Sequence, residues 1–336
     1  MAPPLLCIMG PTAAGKTDLG IALAKQCNGE LVSVDSALVY RGLTIGAAKP
    51  NYSHHLVDIR DPSEPYSAAD FVRDAQAAIV DIRSRGRHPI LIGGTMLYYH
   101  ALLHGLDDIP ATDPDIRGQL EARAAVEGWP ALHAELARID PELATKLHPN
   151  HSQRIGRGLE VWQMTGRALS DWQQGGKSRG LGDRVLALAI NPTDRQVLHA
   201  RIAQRFESML KAGFVDEVRT LYGRADLHRD LPAMRAVGYR QLWAWLEGEV
   251  SWEQAQQHVL AATRQLAKRQ LTWLRKWPDL IWLMTDEGGA LTRVETPALS
   301  PDDQWQAVLA GNTEQRPICE SNKLVSRVNQ WFAELS

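Results

Sequence analysis

Residues Gly10-Pro11-Thr12-Ala13-Ala14-Gly15-Lys16-Thr17 have the spacing GxxxxGK[ST]. In this order they can cradle a polyphosphate. Glycines let backbone N–H groups close around phosphate oxygens, the lysine adds a point charge, and the hydroxyl of Thr17 can reach a Mg²⁺ ion. ATP, GTP and other pyrophosphate esters fit the same cradle, so the motif identifies the ligand's phosphates and nothing more. A carboxylate is the next requirement. Asp35 closes the apolar run Val32-Ser33-Val34, and Asp58 closes Leu56-Val57. In open α/β sheets the carboxyl ends of strands face the ligand crevice, which puts Asp35 beside the loop as a metal ligand or general base.

The elements that must position these groups are legible. Short apolar runs at 5–9, 31–34, 56–59 and 89–92 read as buried strands, and 17–27 and 68–83 repeat apolar residues at helical spacing. Ser67 with Asp70 forms a capping pattern at the start of the latter. Strand–helix alternation predicts an α/β fold, a P-loop NTPase-like parallel sheet with helices on both faces. From 113 to about 171 the pattern is helical only, broken at Gly128, Asp140-Pro141 and His148-Pro149-Asn150, which predicts an all-helical insertion. A strand at 185–190, a helical region over 193–276 and a last strand at 280–284 return the chain to the core. The expected organisation is a first core part over 1–110, the insertion over 111–175, a basic helical return over 176–285 and a loosely ordered tail over 286–336.

The chain carries 37 basic and 39 acidic residues, which excludes a polycation that coats nucleic acid. That balance averages unlike parts: residues 1–150 sum to −5, 151–279 to +7 and 280–336 to −4. Cys7, Cys27 and Cys319 lie far apart, without metal-ligand spacing, as expected of buried thiols in a reducing compartment. No apolar run has membrane-spanning length and the N-terminus lacks signal-peptide character, so we expect a cytoplasmic protein without a membrane partner. Nothing demands more than a monomer.

The run 34–50, VDSALVYRGLTIGAAKP, resembles the signature of the tRNA dimethylallyltransferases, also called tRNA isopentenyltransferases. Further matches follow in order at 54–58, 64–71, 93–98, 148–161, 201–206, 235–241 and 263–273, so the resemblance covers about residues 4–284. It implies transfer of a dimethylallyl group from dimethylallyl diphosphate to N6 of the adenosine just 3′ of the anticodon, in tRNAs reading codons that begin with U. The P-loop would then hold a diphosphate leaving group with Mg²⁺ at Thr17. Asp35, Thr17, Thr95 and Arg205 become the expected catalytic residues. Contacts to the anticodon stem-loop are implied for Asp35, Ser36, Ala37, Leu38 and Thr95, for Arg117, and for Gln153, Arg154, Ile155, Gly156 and Arg157. The segment Arg235, Ala236, Val237, Gly238, Tyr239 and Arg240 completes the set. The target base must leave its stack to reach a buried carboxylate, and loop bases are read by edge hydrogen bonds and stacking. Arg264, Lys268, Arg269, Arg275 and Lys276, interleaved with Trp273 and Trp277, suit an RNA stem contact. The alternative is a P-loop small-molecule or nucleotide kinase with an inserted lid; a non-catalytic RNA-binding module with a vestigial P-loop is a third reading.

Overall fold

A computed structural model describes residues 5–174 and 180–295. Its strands are β1 (Leu5–Met9), β2 (Gly29–Val34), β3 (His54–His55), β4 (His88–Gly93), β5 (Val185–Pro192), β6 (Ile281–Thr285) and β7 (Leu291–Glu295). They form one sheet in the order β3-β2-β4-β1-β5-β6-β7. Every pairing is parallel except β6 with β7. The helices are α1 (Lys16–Gln26), α2 (Ala68–Ser84), α3 (Met96–His104), α4 (Pro114–Glu127), α5 (Trp129–Ile139), α6 (Pro141–Thr145), α7 (Ser152–Thr165), α8 (Leu169–Gln174), α9 (Arg195–Lys211), α10 (Phe214–Tyr222), α11 (Tyr239–Leu246) and α12 (Trp252–Leu274).

The continuous apolar strands follow from a sheet covered on both faces. Leu6 and Ile8 of β1, Ile90 and Ile92 of β4 and Leu188 of β5 share one buried cluster with Leu19 and Leu23 of α1. Their alternating neighbours Leu5, Cys7, Met9 and Leu91 point to the opposite face and are equally buried. α2 starts at the expected capping box: Ser67 Oγ accepts from Asp70 N–H at 3.1 Å, and Asp70 Oδ2 accepts from Ser67 N–H at 3.0 Å.

Two expectations are corrected. The run 56–59 is not a strand; β3 stops at His55 because Leu56 (φ 63°) and Asp58 (φ 58°) adopt left-handed conformations that no ladder accommodates. The chain then runs beside 38–41 instead, through backbone bonds from Asp58, Ile59 and Arg60 and one parallel bridge between Tyr40 and Arg60. The tail, expected to be loose from 286, instead turns back through Gly289 and adds β7 antiparallel to β6. The possible helix at 324–335, and Cys319, lie outside the described residues. Cys7 and Cys27 are buried free thiols, and burial pushes the Cys27 thiol up to about 11. Among the described residues no helix is long and apolar enough to cross a membrane.

The described residues divide into two compact units, one drawn from 1–100 and 183–336 and the other from 101–182. The second unit is helical and has its own core, including Leu120, Leu132, Leu136 and Leu159. Its breaks fall at the expected residues. Gly128, at φ 81°, ends α4 and precedes α5. The buried carboxylate of Asp140 caps α6 by accepting from Leu143 N–H at 2.9 Å, and accepts from Ser170 N–H at 2.8 Å.

Candidate active site

The P-loop runs from the end of β1 to the start of α1. A Cβ on Gly10 would lie 2.5 Å from the carbonyl oxygen of Ile190 on β5, so the strand can leave the sheet here only through glycine. Gly15 caps α1 without a side-chain acceptor. The N–H groups of the first helical turn therefore keep their capacity for an anion, reinforced by the helix dipole. Lys16 Nζ donates to the carbonyl of Pro11 at 2.7 Å. Burial and the nearby Arg205 lower its pKa to about 8, with Asp35 acting in the opposite direction. Arg205, on α9, donates through Nη1 to Thr12 Oγ1 at 3.4 Å, and burial pulls its guanidinium below the usual range. Two partly desolvated cations thus converge on the loop, an arrangement that an anion relieves.

The carboxyl ends of β2 and β4 bring in the second half of the site. Asp35 follows β2 directly, and its Oδ1 accepts from the N–H groups of Ala37 (2.8 Å) and Leu38 (3.3 Å). Among the described residues its Oδ2 takes no hydrogen bond. Thr95, after the Gly93-Gly94 turn of β4, donates its N–H to the carbonyl of Val34 at 3.2 Å. Its Oγ1 accepts from Ser36 N–H at 3.1 Å. The two strand ends are therefore stitched together across neighbouring strands, and Asp35 and Thr95 line the same cavity.

Sequence reasoning assigned no role to Gln270, although it lies in a quoted motif. This buried α12 residue accepts from Thr12 N–H at 2.9 Å and donates to the carbonyl of Gly94 at 2.9 Å. A Cβ on Gly94 would sit 2.2 Å from Gln270 Nε2, so the glycine makes room for the bridge. One side chain thereby joins the phosphate loop to the turn that carries Thr95. Replacing Gln270 with Leu strands a loop amide and a carbonyl, and is expected to lower stability by about 1–3 kcal/mol, measured by chemical denaturation.

These groups line a cavity of about 510 Å³. Of the expected residues it gathers Thr12, Ala13, Lys16, Thr17, Asp35, Ser36, Ala37, Leu38, Thr95, Arg205 and the segment from Arg235 to Tyr239. Gly10, Pro11, Ala14 and Gly15 shape the loop without lining the cavity, and Arg240 is exposed outside its lining. Tyr239, expected to meet RNA, is fully buried, and its hydroxyl is committed to Glu217 at 2.6 Å. Asp58 does not line the cavity either, because it forms an ion pair with Lys49. Sequence reasoning also did not foresee the wall of Gly46, Ala47 and Ala48, or the apolar side built by Ile202, Phe206, Met209 and Leu266. Apolar helix residues carry no mark that separates a cavity wall from a core. Trp273 lines the cavity and is 42% exposed, whereas Trp277 packs its edge against buried Tyr99.

The remaining expected residues belong to the helical unit. Gln153 and Arg154 are exposed on the first turn of α7. Ile155 is in the core, and Gly156 lies against Trp129. Arg157 pairs with the buried Glu160 at 3.0 Å and donates to the carbonyl of Pro110, so its guanidinium serves the unit's own fold. Arg117 makes a 3.5 Å surface pair with Glu121.

Residues 38–277 match the family model described as IPP transferase, which begins just past the phosphate loop and Asp35. A tRNA dimethylallyltransferase of Bordetella avium is 56% identical over 299 residues, covering 87% of this chain and 96% of that protein. One from Methylococcus capsulatus is 52% identical over 297 residues, with 87% and 95% covered. The crystal structure of the full-length tRNA isopentenylpyrophosphate transferase from Bacillus halodurans aligns with a TM-score of 0.62 at 35% identity, over 98% of this chain and 99% of that one. A eukaryotic dimethylallyltransferase crystallised acting on tRNA shares the fold, with a TM-score of 0.71 at 24% identity over 98% of this chain and 84% of that one. With a matching family model over most of its length and relatives above half identity along nearly their whole chains, this protein belongs to the IPP transferase family.

Proposed function

We propose that this protein is a tRNA dimethylallyltransferase that moves a dimethylallyl group from dimethylallyl diphosphate to N6 of the adenosine just 3′ of the anticodon, in tRNAs reading codons that begin with U. The observation that carries the reading is one cavity lined both by a phosphate cradle and, from the adjoining strand ends, by Asp35 and Thr95. A phosphate loop alone would suit a kinase equally. The relatives' names favour prenyl transfer, and no phosphoryl group then moves.

An adenine amine is a weak nucleophile because its lone pair is delocalised into the ring. As N6 bonds to the allylic carbon, the bond from that carbon to the diphosphate oxygen breaks and its electrons leave with the diphosphate. The N6 proton passes to the carboxylate of Asp35, whose second oxygen is unclaimed by the protein. Charge growing on the leaving group is met by Lys16, the first amides of α1 and Arg205, all fixed before reaction. Thr95 aligns the base through its hydroxyl.

The donor set also fits Mg²⁺. Among the described residues no group of three or more acidic, histidine or cysteine side chains forms a metal cage. Thr17, a hydroxyl-bearing residue, does line the cavity, and Mg²⁺ characteristically uses one or two protein oxygens and fills its shell with phosphate and water. Held there, the ion would neutralise charge on the departing diphosphate. Arg235 and the exposed basic residues of α12 supply the charge expected of an RNA-binding face, and in the helical unit Arg154 is exposed on α7.

Incubation of the purified protein with labelled dimethylallyl diphosphate and unmodified tRNA is expected to move label to tRNA without ATP, and to stop on chelation of divalent metal. ATP-dependent phosphorylation of a small molecule, with no label on tRNA, would overturn the assignment.

A further inference from the structure

The part of the cavity lining formed by Gly46, Ala47 and Ala48 is built in an unusual way. Glu217, on α10, accepts three successive backbone N–H groups, from Thr44 (3.0 Å), Ile45 (2.7 Å) and Gly46 (3.0 Å). It also accepts the Tyr239 hydroxyl at 2.6 Å, and that oxygen in turn accepts Ala47 N–H at 3.1 Å. Four consecutive amides are thus consumed by one carboxylate and one phenol. Phe214 and Tyr239 meet edge to face at 5.1 Å against Gly46, where a Cβ would lie 2.1 Å from the Phe214 ring. The loop is tied at its far end too, because Lys49 Nζ bonds both Asp58 and Thr44 Oγ1. Between these ties Ala48 is held at φ 50°, a strained conformation for a residue with a side chain.

A wall whose amides are all taken offers nothing to a diphosphate. Gly46, Ala47 and Ala48 line the cavity with no side chain larger than a methyl, which suits the flat face of a base. Asp58, the partner of Lys49, lies in a stretch bonded to the segment after Asp35: Asp58 N–H donates to Leu38, and Ile59 and Arg60 donate to Val39.

We propose that Glu217 is a positioning residue, fixing the 44–48 wall against which the acceptor adenosine is placed for Asp35, so that tRNA use depends on it and the hold on diphosphate does not. This rests on the prenyl-transfer reading above. Two variants test it, Glu217→Gln, which puts an amide donor against backbone donors, and Tyr239→Phe, which removes the phenol and leaves the carboxylate.

Equilibrium binding of tRNA and of a diphosphate monoester is measured for each, together with KM for both substrates. For Glu217→Gln we expect tRNA Kd and KM to rise about tenfold, with diphosphate affinity within about twofold of the parent. Tyr239→Phe should shift tRNA use in the same direction by less. Unchanged tRNA binding, a fall in kcat alone, or equal weakening of both ligands would overturn the proposal. Should Glu217→Gln not fold, Tyr239→Phe alone decides by the same criteria. If the parent binds both ligands but transfers nothing, the functional reading fails, while the binding comparison still judges Glu217.

Discussion

Asp35→Asn is expected to reduce prenyl transfer by about 10²–10⁴-fold, the range attributed to a positioned general base. The amide keeps the shape of the carboxylate, and its carbonyl oxygen can still accept from Ala37 and Leu38, so the turn after β2 survives. What disappears is the ability to take a proton from N6 as the new bond forms. Affinity for tRNA and for a diphosphate ester should change little, because neither the phosphate loop nor the basic face of α12 is touched. Single-turnover transfer measured beside equilibrium binding checks this. Wild-type transfer rates in the variant would remove Asp35 from the chemistry, and joint loss of binding and rate would make it a structural residue.

Lys16→Met should lower kcat/KM by about 10²–10³-fold through loss of leaving-group stabilisation. The lysine carries a further signature. Its pKa in the free protein is depressed to about 8, chiefly by burial and then by Arg205. A bound dianion favours the charged form and raises that pKa, so binding takes up a proton whenever Lys16 starts neutral. The sign follows: below about pH 8 the lysine is already charged and affinity is flat, whereas above it affinity falls, approaching tenfold per pH unit until the pKa of the complex is reached. A diphosphate monoester loses its own last proton well below this range, at about 6 for a phosphate group, so the trend belongs to the protein. Calorimetric titrations from pH 7 to 9.5 should show the slope in the parent and lose it in Lys16→Met. A flat parent profile would mean that Lys16 is charged throughout.

The sheet core was legible because its strands are buried on both faces and read as unbroken apolar runs, and the phosphate loop because glycine spacing and a following helix leave few alternatives. Asp35 followed from its place at a strand end. The failures have physical causes. At 56–59 the residues are apolar enough for a strand, but left-handed Leu56 and Asp58, set by surrounding contacts, turn the chain away. β7 has a polar exposed face and gains its stability only by pairing with β6, so its own composition looked like tail. Tyr239 was expected at RNA from its motif; it is buried at the cavity lining, and its bond to Glu217 is a tertiary contact that no local pattern announces.

The Thr12–Gln270 bridge spans 258 positions of the chain, and β1 waits for β5 before its second edge is paired. During synthesis the phosphate loop emerges early but cannot reach its working shape until α12 has been made. Such long-range closure implies slow, late maturation of the site, with the first hundred residues depending meanwhile on protection from misassembly. It also means that a fragment ending before α12 would carry an intact motif and an unfinished cradle.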